Sequence, residues 1–160
     1  MEVVPLDNDN EPYLMASEDG HVEVVRLLLA DPRIDASAVC TAIRLASANG
    51  HVEVVRLLLA DPRIDPYEDN GAICFGSENG HLEIVRLLLA DSRFDPSGEN
   101  NGANRWASRN GHVEVVRLLL ADPRVDPSAW DNWAIQYASE NGHMEVVRLL
   151  LEDPRVDPSG

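Results

Sequence analysis

The chain has 160 residues, of which 44% are hydrophobic, and a formal net charge of −15 in which every basic residue is an arginine. This composition suits one domain, 1–160, with a continuous core. Nucleic acid and anionic membranes are disfavoured as partners because they repel so large a negative charge, whereas a protein or peptide with a basic surface is favoured.

One phrase, GHVEVVRLLLADPR or a close copy of it, begins at Gly20, Gly50, Gly80, Gly111 and Gly142. The spacing is 30 residues twice and then 31 residues twice. A period in this range is typical of solenoids, in which each unit buries its apolar face against the next. We therefore expect five stacked units, at about 10–39, 40–69, 70–100, 101–131 and 132–160.

Each unit is expected to begin with a short first helix that ends at an Asn-Gly or Asp-Gly pair, since glycine after asparagine commonly ends a helix in a left-handed residue. An asparagine near the helix start is a candidate N-cap or turn residue. It recurs as Asn10, Asn70, Asn101 and Asn132. Cys40 replaces it in the second unit, so that helix is expected to start more weakly.

The second helix of each unit is apolar almost all round, which indicates that it is covered on two sides, as in a stack. Its polar positions are a glutamate and an arginine three residues apart, which we expect to form weak ion pairs. The pairs are Glu23/Arg26, Glu53/Arg56, Glu83/Arg86, Glu114/Arg117 and Glu145/Arg148. An extended connection follows, anchored by one buried residue per unit such as Ile64, Phe94 or Val125.

Cys40 and Cys74 lie in adjacent units at unlike positions of the repeat. No secretory h-region follows Met1, and no long apolar run occurs. We therefore expect two reduced thiols in an intracellular, cytoplasmic compartment.

A short helix, Asn-Gly-His, an apolar second helix ending in Leu-Leu and an extended return resemble the ankyrin repeat, from about Asn10 to Pro158. The most specific part is Ala-Ser-x-Asn-Gly-His-x-Glu-Val-Val-Arg-Leu-Leu-Leu, which recurs with small changes in every unit. The Thr-Pro-Leu-His opening of the family is largely missing, although Thr41 keeps its threonine and Pro12 its proline. The units are shorter than the usual length of about 33 residues, and so resemble the short variants of protist and giant-virus arrays.

The resemblance implies an all-α, ankyrin-like solenoid of five helix–turn–helix repeats with extended connections. It also implies a non-catalytic role in protein–protein interaction. In stacks of this kind, the tips of the connections and the first helices line the concave face that holds partners.

Two repeated features could suggest metal sites. The histidines at the start of the second helices belong to successive units about 8–10 Å apart, whereas zinc ligands lie about 2 Å from the metal. Each histidine is therefore expected to bond backbone at the start of its own second helix. The histidines are His21, His51, His81, His112 and His143.

The Asp-Pro-Arg-x-Asp repeats lack the glycine turn of a calcium loop, and we expect them to be helix-end turns with local salt bridges. No catalytic constellation and no phosphate-binding loop stands out from the repeat. We therefore expect no metal, no cofactor and no enzymatic activity.

Aligned positions of the first helices suggest which residues form the core. Two columns are almost always large and apolar, and both are expected to be buried. They are Tyr13, Ile43, Ile73, Asn104, Ile135 and Met15, Leu45, Phe75, Trp106, Tyr137. Asn104 is the exception, and a buried asparagine without partners costs about 1–3 kcal/mol. The fourth unit is therefore expected to be locally weaker, unless Asn104 bonds a neighbouring backbone group.

The remaining aromatic residues fall where the core does not require them: Tyr67 in a connection, and Trp130 and Trp133 at the start of the fifth first helix. Exposed aromatic rings in an acidic groove are good anchors for a basic partner; alternatively, each tryptophan merely packs on the preceding connection. Charged candidates for the same face are Glu68, Asp69, Arg109, Asp131 and Glu140.

A second functional class is a structural array without a dedicated ligand. Terminal units of a solenoid normally carry a polar outer face, but Val146 to Leu151 repeats the interior pattern without a polar substitution. The C-terminal repeat, 132–160, is therefore a candidate surface for self-association.

Overall fold

A computed structural model describes residues 11–65 and 71–159 of the chain. In this part the chain forms ten helices and no strand, so the predicted all-α solenoid is confirmed. The helices are α1 Glu11–Asp19, α2 Val22–Leu29, α3 Ala36–Asn49, α4 Val52–Leu59, α5 Gly71–Glu78, α6 Leu82–Ala90, α7 Gly98–Arg109, α8 Val113–Leu120, α9 Ala129–Glu140 and α10 Met144–Glu152. Odd numbers are the first helices of the five units and even numbers are the second helices.

The boundaries of the helices follow the repeated phrase. The glycine after each first helix has φ between 75° and 80°, the left-handed region that favours glycine, as predicted. The histidine that follows has non-helical angles and precedes the first residue of the second helix. The second helices expose the predicted Glu–Arg pairs, whose N–O distances are 2.9–3.7 Å.

The connections are anchored as predicted. Ile34, Ile64, Phe94 and Val125 are buried, and Val156 is half-buried in the last unit. Cys40 and Cys74 are thiols rather than a disulfide.

The predicted weak start of the second unit's first helix is wrong. This helix, α3, is the longest of the ten because Ala36 stands where the later units have proline, so helical geometry continues back to residue 36. Asp35 caps it, since its carboxylate accepts a hydrogen bond from the amide of Ala38 at 2.8 Å. The fourth and fifth units instead pass through a left-handed turn, at residues 99–101 and 130–132.

The histidine column joins neighbouring units. The Nε2 atoms of His51, His81 and His112 lie 2.7–3.0 Å from the carbonyl oxygens of Glu18, Ala48 and Glu78. Each of these carbonyls belongs to the first helix of the preceding unit. The histidines therefore bond backbone, as expected, but the expected partner in their own helix is wrong.

The arginines of the Asp-Pro-Arg and Asp-Ser-Arg turns make a second set of bonds, which join neighbouring units from the second unit onward. Each guanidinium bonds the carboxylate two residues earlier, which confirms the local salt bridges. The same guanidinium groups also donate to carbonyls of the preceding unit. The guanidinium of Arg63 donates to the carbonyls of Leu29 and Ile34 at 2.7 and 2.8 Å, and that of Arg155 donates to Val125 at 2.6 Å.

The asparagine column makes hydrogen bonds within its own unit. The side-chain oxygens of Asn101 and Asn132 accept hydrogen bonds from the amides of Asp126 and Asp157, in the connection that follows, at 2.7 and 3.1 Å. Both asparagines also have positive φ, so they are turn residues as well. Asn10 and Asn70 lie outside the described residues.

The curvature of the stack follows from side-chain size. The buried stripe of the first helices consists largely of alanine, whereas the second helices bury valine, isoleucine and leucine. Small residues allow helices to pack at shorter distances, and the first helices are accordingly in closer contact with one another than the second helices are. Closer spacing of the first helices bends a stack toward them, so we infer that they lie on its inner, concave side.

One of the two columns expected in the core is not buried. Tyr13, Ile43, Ile73, Asn104 and Ile135 are buried, as predicted. In the other column Met15 is 55% exposed and Phe75 43% exposed, and the remaining members, Leu45, Trp106 and Tyr137, are half-buried. The alanine stripe already fills the contact between first helices, so this column faces the concave surface instead.

Asn104 is fully buried, and neither its side-chain nitrogen nor its oxygen bonds a described residue. The alternative in which Asn104 bonds a neighbouring backbone group is therefore not found. The cost of about 1–3 kcal/mol for an unsatisfied buried amide stays a prediction for the fourth unit.

The Asp–Arg pairs make stability depend on pH. Hydrogen bonds from the arginine side chains lower the pKa of Asp31 to about 2, and also lower the pKa of Asp61, Asp91, Asp122 and Asp153. In an unfolded chain an aspartate has a pKa of about 3.9. The ionised pairs therefore contribute their full stability above about pH 4, and the contribution is lost as the pH falls through the folded pKa values.

We predict that Asp61→Asn lowers the free energy of unfolding by about 1–3 kcal/mol at pH 7, because Arg63 loses a charged acceptor. The difference from wild type should be constant between pH 5 and 7 and should shrink below pH 4. Urea unfolding from pH 2.5 to 7, followed by circular dichroism, measures it. Asp19→Asn is the control, since Asp19 is exposed and makes no ion pair with the described part of the chain. A difference that stays constant down to pH 2.5 would contradict the assignment.

Candidate functional site

Six side chains of the fourth and fifth units form one cluster on the concave face. We call it the aromatic–arginine cluster, and it consists of Arg105, Trp106, Arg109, Trp130, Trp133 and Tyr137. Helix α7 supplies the first three residues and α9 the last three. The two first helices lie side by side, so their outward columns meet.

Three rings of the cluster are in direct contact. Trp133 meets Trp106 edge to face, with centroids 5.4 Å apart and an interplanar angle of 66°. It also stacks on Tyr137, with centroids 4.0 Å apart and an angle of 27°. Aromatic pairs of these geometries contribute about 0.5–1.5 kcal/mol each beyond the area they bury. The rings therefore form a rigid platform.

Two arginines lie over the rings. The guanidinium carbon of Arg105 is 4.2 Å from the ring centroid of Trp130 and 5.0 Å from that of Trp133. That of Arg109 is 5.2 Å from the centroid of Trp106. Cation–π contacts of this kind contribute about 0.5–2 kcal/mol, with the larger values where water is excluded. The arginines are thereby held in fixed positions.

The left-handed turn at residues 130–132 displays Trp130. The φ of this residue is 55°, and the side chain is 59% exposed. The turn is closed by a hydrogen bond of 2.9 Å from the amide of Asn132 to the carbonyl of Ser128. The fourth unit has the same turn with Glu99 in the place of Trp130. The turn itself therefore does not require an aromatic residue.

Two pockets open on the concave face. The larger, of 380 Å³, is lined by residues of the second to fifth units, and its walls include Arg44, Phe75, Glu78, Arg105, Trp106 and Trp130. The other, of 320 Å³, is lined by Thr41, Arg44, Leu45, Ala48 and Phe75. Arg44 and Phe75 line both pockets, and the aromatic–arginine cluster forms one wall of the larger pocket.

The structure brings together three of the predicted site residues, Arg109, Trp130 and Trp133. Asp131 and Glu140 are exposed on the same two units and lie beside the cluster in sequence. Tyr67, Glu68 and Asp69 lie outside the described residues. The alternative in which the tryptophans only pack on the preceding connection is incomplete, because Trp133 meets Trp106 edge to face and stacks on Tyr137.

Sequence reasoning missed Arg105, Trp106, Phe75 and Tyr137. Three of these were placed in the core because they are large and apolar. The signal that could have found these three is helical phase, since a small residue, alanine or glycine, already occupies the contact face one position later. Arg105 carried a signal too, because it lies in neither of the repeated arginine columns.

The arginines fall into two groups according to their position in the repeat. Ten of the 13 arginines belong to the two repeated columns and pair with a glutamate or an aspartate. The others are Arg44, Arg105 and Arg109, and all three are on first helices. Carboxylates on the same helices or their turns include Glu18, Glu78, Glu99, Asp131 and Glu140. The concave face is therefore of mixed charge.

Among residues 11–65 and 71–159, no group of three or more histidine, cysteine, aspartate or glutamate side chains is arranged to hold a metal ion. None of the helices described is long and apolar enough to cross a membrane.

A family model described as "Ankyrin repeats (3 copies)" matches residues 4–70 and 73–159. No curated protein matches the chain.

Proposed function

Because the chain belongs to the ankyrin repeat family, whose members are generally protein–protein interaction modules, we propose that it binds a protein or peptide on its concave face. The aromatic–arginine cluster is the proposed centre of that site. The proposed role is non-catalytic.

One observation carries this proposal: the fold does not need the two tryptophan rings of α9. The positions of Trp130 and Trp133 are taken in the fourth unit by Glu99 and Gly102, which support the same backbone geometry. Tryptophan, tyrosine and arginine are the residues most enriched at the energetic centres of protein interfaces. Rings and guanidinium groups held rigid before binding also reduce the entropy lost on association.

The partner is proposed to be basic over most of its surface. The net charge of −15 steers a cationic protein toward the chain. Carboxylates around the cluster, such as Glu78, Asp131 and Glu140, offer local contacts for lysine or arginine side chains. Glu68 and Asp69 belong to the same proposal, as does Tyr67. The two thiols support a reducing, cytoplasmic location as part of the proposal.

We predict that a peptide-display selection on the wild type enriches basic ligands, and that the double variant Trp130→Ala/Trp133→Ala binds these ligands at least about 30-fold more weakly, as expected for energetic centres worth about 2 kcal/mol or more. Isothermal titration of the enriched peptides measures the loss. The matched control is Glu114→Ala/Arg117→Ala, which removes an exposed ion pair from the second helix of the fourth unit.

The control should bind like wild type. If the aromatic double variant retains the same ligands with the same affinity, or if no ligand is enriched, the concave-face site is wrong. Thermal unfolding of each variant separates loss of binding from loss of fold.

A second candidate function is a structural array that associates through its ends. At the last unit, Met144 is 66% exposed and Leu151 53% exposed, and at the first unit Val24 and Leu27 are exposed. The interior counterparts of these residues are buried or half-buried between units. The two faces are thus the complementary halves of the interface that joins neighbouring units.

If this second function holds, sedimentation velocity will show association that rises with concentration between about 10 μM and 1 mM, a range expected for weak contacts. Leu151→Glu should abolish it by placing a charge on the apolar end face. Ala60→Glu, which adds the same charge at an exposed position in the middle of the stack, should not. A wild type that stays monomeric throughout would remove this candidate.

A further inference from the structure

Arg105 is a buried charge with an unusual set of neighbours. It is only 7% exposed, yet it forms no ion pair with a carboxylate of the described residues. Its Nε donates to the carbonyl of Asn100 at 3.0 Å and its Nη2 to that of Glu99 at 3.1 Å. The Nη1 nitrogen makes no hydrogen bond within the described part of the chain. Burial lowers the pKa of the guanidinium, which stays ionised.

The fifth unit shows what the fold needs at this position. Gln136 is the counterpart of Arg105, and it follows the same left-handed turn. Its Nε2 donates to the carbonyl of Asp131 at 2.6 Å, the counterpart of the bond from Arg105 to Asn100. A neutral donor therefore suffices to brace the turn. The charge of Arg105 is not required for the fold, although burying it is costly.

The charge lies at the wall of the 380 Å³ pocket, which also has apolar walls from Phe75, Trp106 and Trp130. The ring of Trp130 stacks over one face of the guanidinium. A ligand therefore reaches Arg105 at its Nη1 edge. A planar carboxylate pairs well with an arginine edge through charge-assisted hydrogen bonds. Glu78 and Glu99 at the wall offset the charges of Arg44 and Arg105, and so disfavour a doubly charged phosphate more than a singly charged carboxylate.

We propose that this pocket binds the carboxylate of an aspartate or glutamate side chain of the protein that occupies the concave face, through the Nη1 edge of Arg105 and between aromatic walls. The inference rests on the proposed function and gives it a specific contact. The partner then carries one acidic side chain at the centre of an otherwise basic surface. The surrounding carboxylates of the face contact its basic groups.

The test uses small probes, so that it does not depend on a selected ligand. N-acetyl-glutamate α-amide carries the side-chain carboxylate, N-acetyl-glutamine amide is its neutral isostere, and phenyl phosphate is the doubly charged alternative. Each is titrated into the full chain while the Arg105 Nε–H and Trp130 indole N–H signals are followed by ¹H–¹⁵N NMR. The variants are Arg105→Gln, which copies the residue of the fifth unit, and Arg117→Gln, an exposed arginine of α8.

We expect saturable shifts with the carboxylate probe, a dissociation constant in the millimolar range, and at least tenfold weaker binding of the amide. Arg105→Gln should abolish this preference, followed through the Trp130 signal, while Arg117→Gln should keep it. Equal binding of carboxylate and amide would overturn the proposal, as would a preference that survives in Arg105→Gln. Tighter binding of phenyl phosphate would replace the carboxylate with a phosphorylated side chain. If Arg105→Gln does not fold, the comparison of probes on the wild type still decides.

The result of the probe titration can be distinguished from the result of the peptide-display selection. Peptides that bind the concave face without any carboxylate preference would refute the pocket and leave the proposed function standing. If the pocket binds the carboxylate probe but the selection yields no peptide, the proposed function is refuted. The role of the pocket in a partner complex is then refuted as well.

Discussion

Hydrogen bonds from the side chains of one unit to backbone groups of its neighbour hold this stack in register. The histidine and arginine columns supply such bonds, at the end of the first helix and at the end of the second helix. Backbone carbonyls at helix ends lack partners within their own helix. The neighbouring unit satisfies them here, so a unit cannot shift along its neighbour without breaking several bonds at once.

The binding face depends on this register. The first helices carry the same outward columns in every unit, so fixing one helix against the next places those columns in one surface. The variable residues then differ from unit to unit on a constant backbone. This is how Trp106 of one unit meets Trp133 of the next, and how Arg105 comes to lie over the ring of Trp130. The repeat supplies the scaffold and its exceptions supply the site.

Much of the fold could be predicted from the sequence because it depends on short-range patterns. The left-handed glycines, the Glu–Arg pairs and the buried connection residues all follow from a single unit. The misassigned column shows the limit, because residue size indicates a core only when helical phase agrees. The histidines show a second limit, since their partners are carbonyls of the preceding unit, which the sequence of a single unit does not contain. Helix α3 starts strongly because residue 36 is alanine rather than proline. This effect outweighed the replacement of asparagine by Cys40.

The candidate site was only partly predictable. Trp130 and Trp133 stand out because no core position calls for them, whereas the contact of Arg105 with these rings needs two units in register. Arg105 carries a charge that its counterpart Gln136 lacks. Both side chains donate an equivalent hydrogen bond to the turn before them, and only this structural comparison shows that the turn does not need the charge. Pockets between units are also properties of the stack rather than of any one repeat.

The central claim is that contacts between units, rather than the folding of each unit alone, hold the first helices together. Comparing Gly80→Ala with Gly142→Ala tests it most directly, because both glycines have φ of 75°. A Cβ atom at residue 80 would lie 2.5 Å from Nδ1 of His112, whereas nothing lies within 4 Å at residue 142. Both variants share the cost of a left-handed alanine, about 1–2 kcal/mol.

The measurement is the free energy of unfolding of both variants in urea, with and without His112→Ala. The account predicts that Gly80→Ala loses about 1–2 kcal/mol more than Gly142→Ala, because His112 must give up its bond to the carbonyl of Glu78. That excess should disappear in the His112→Ala background. Equal losses for the two glycine variants would contradict the claim.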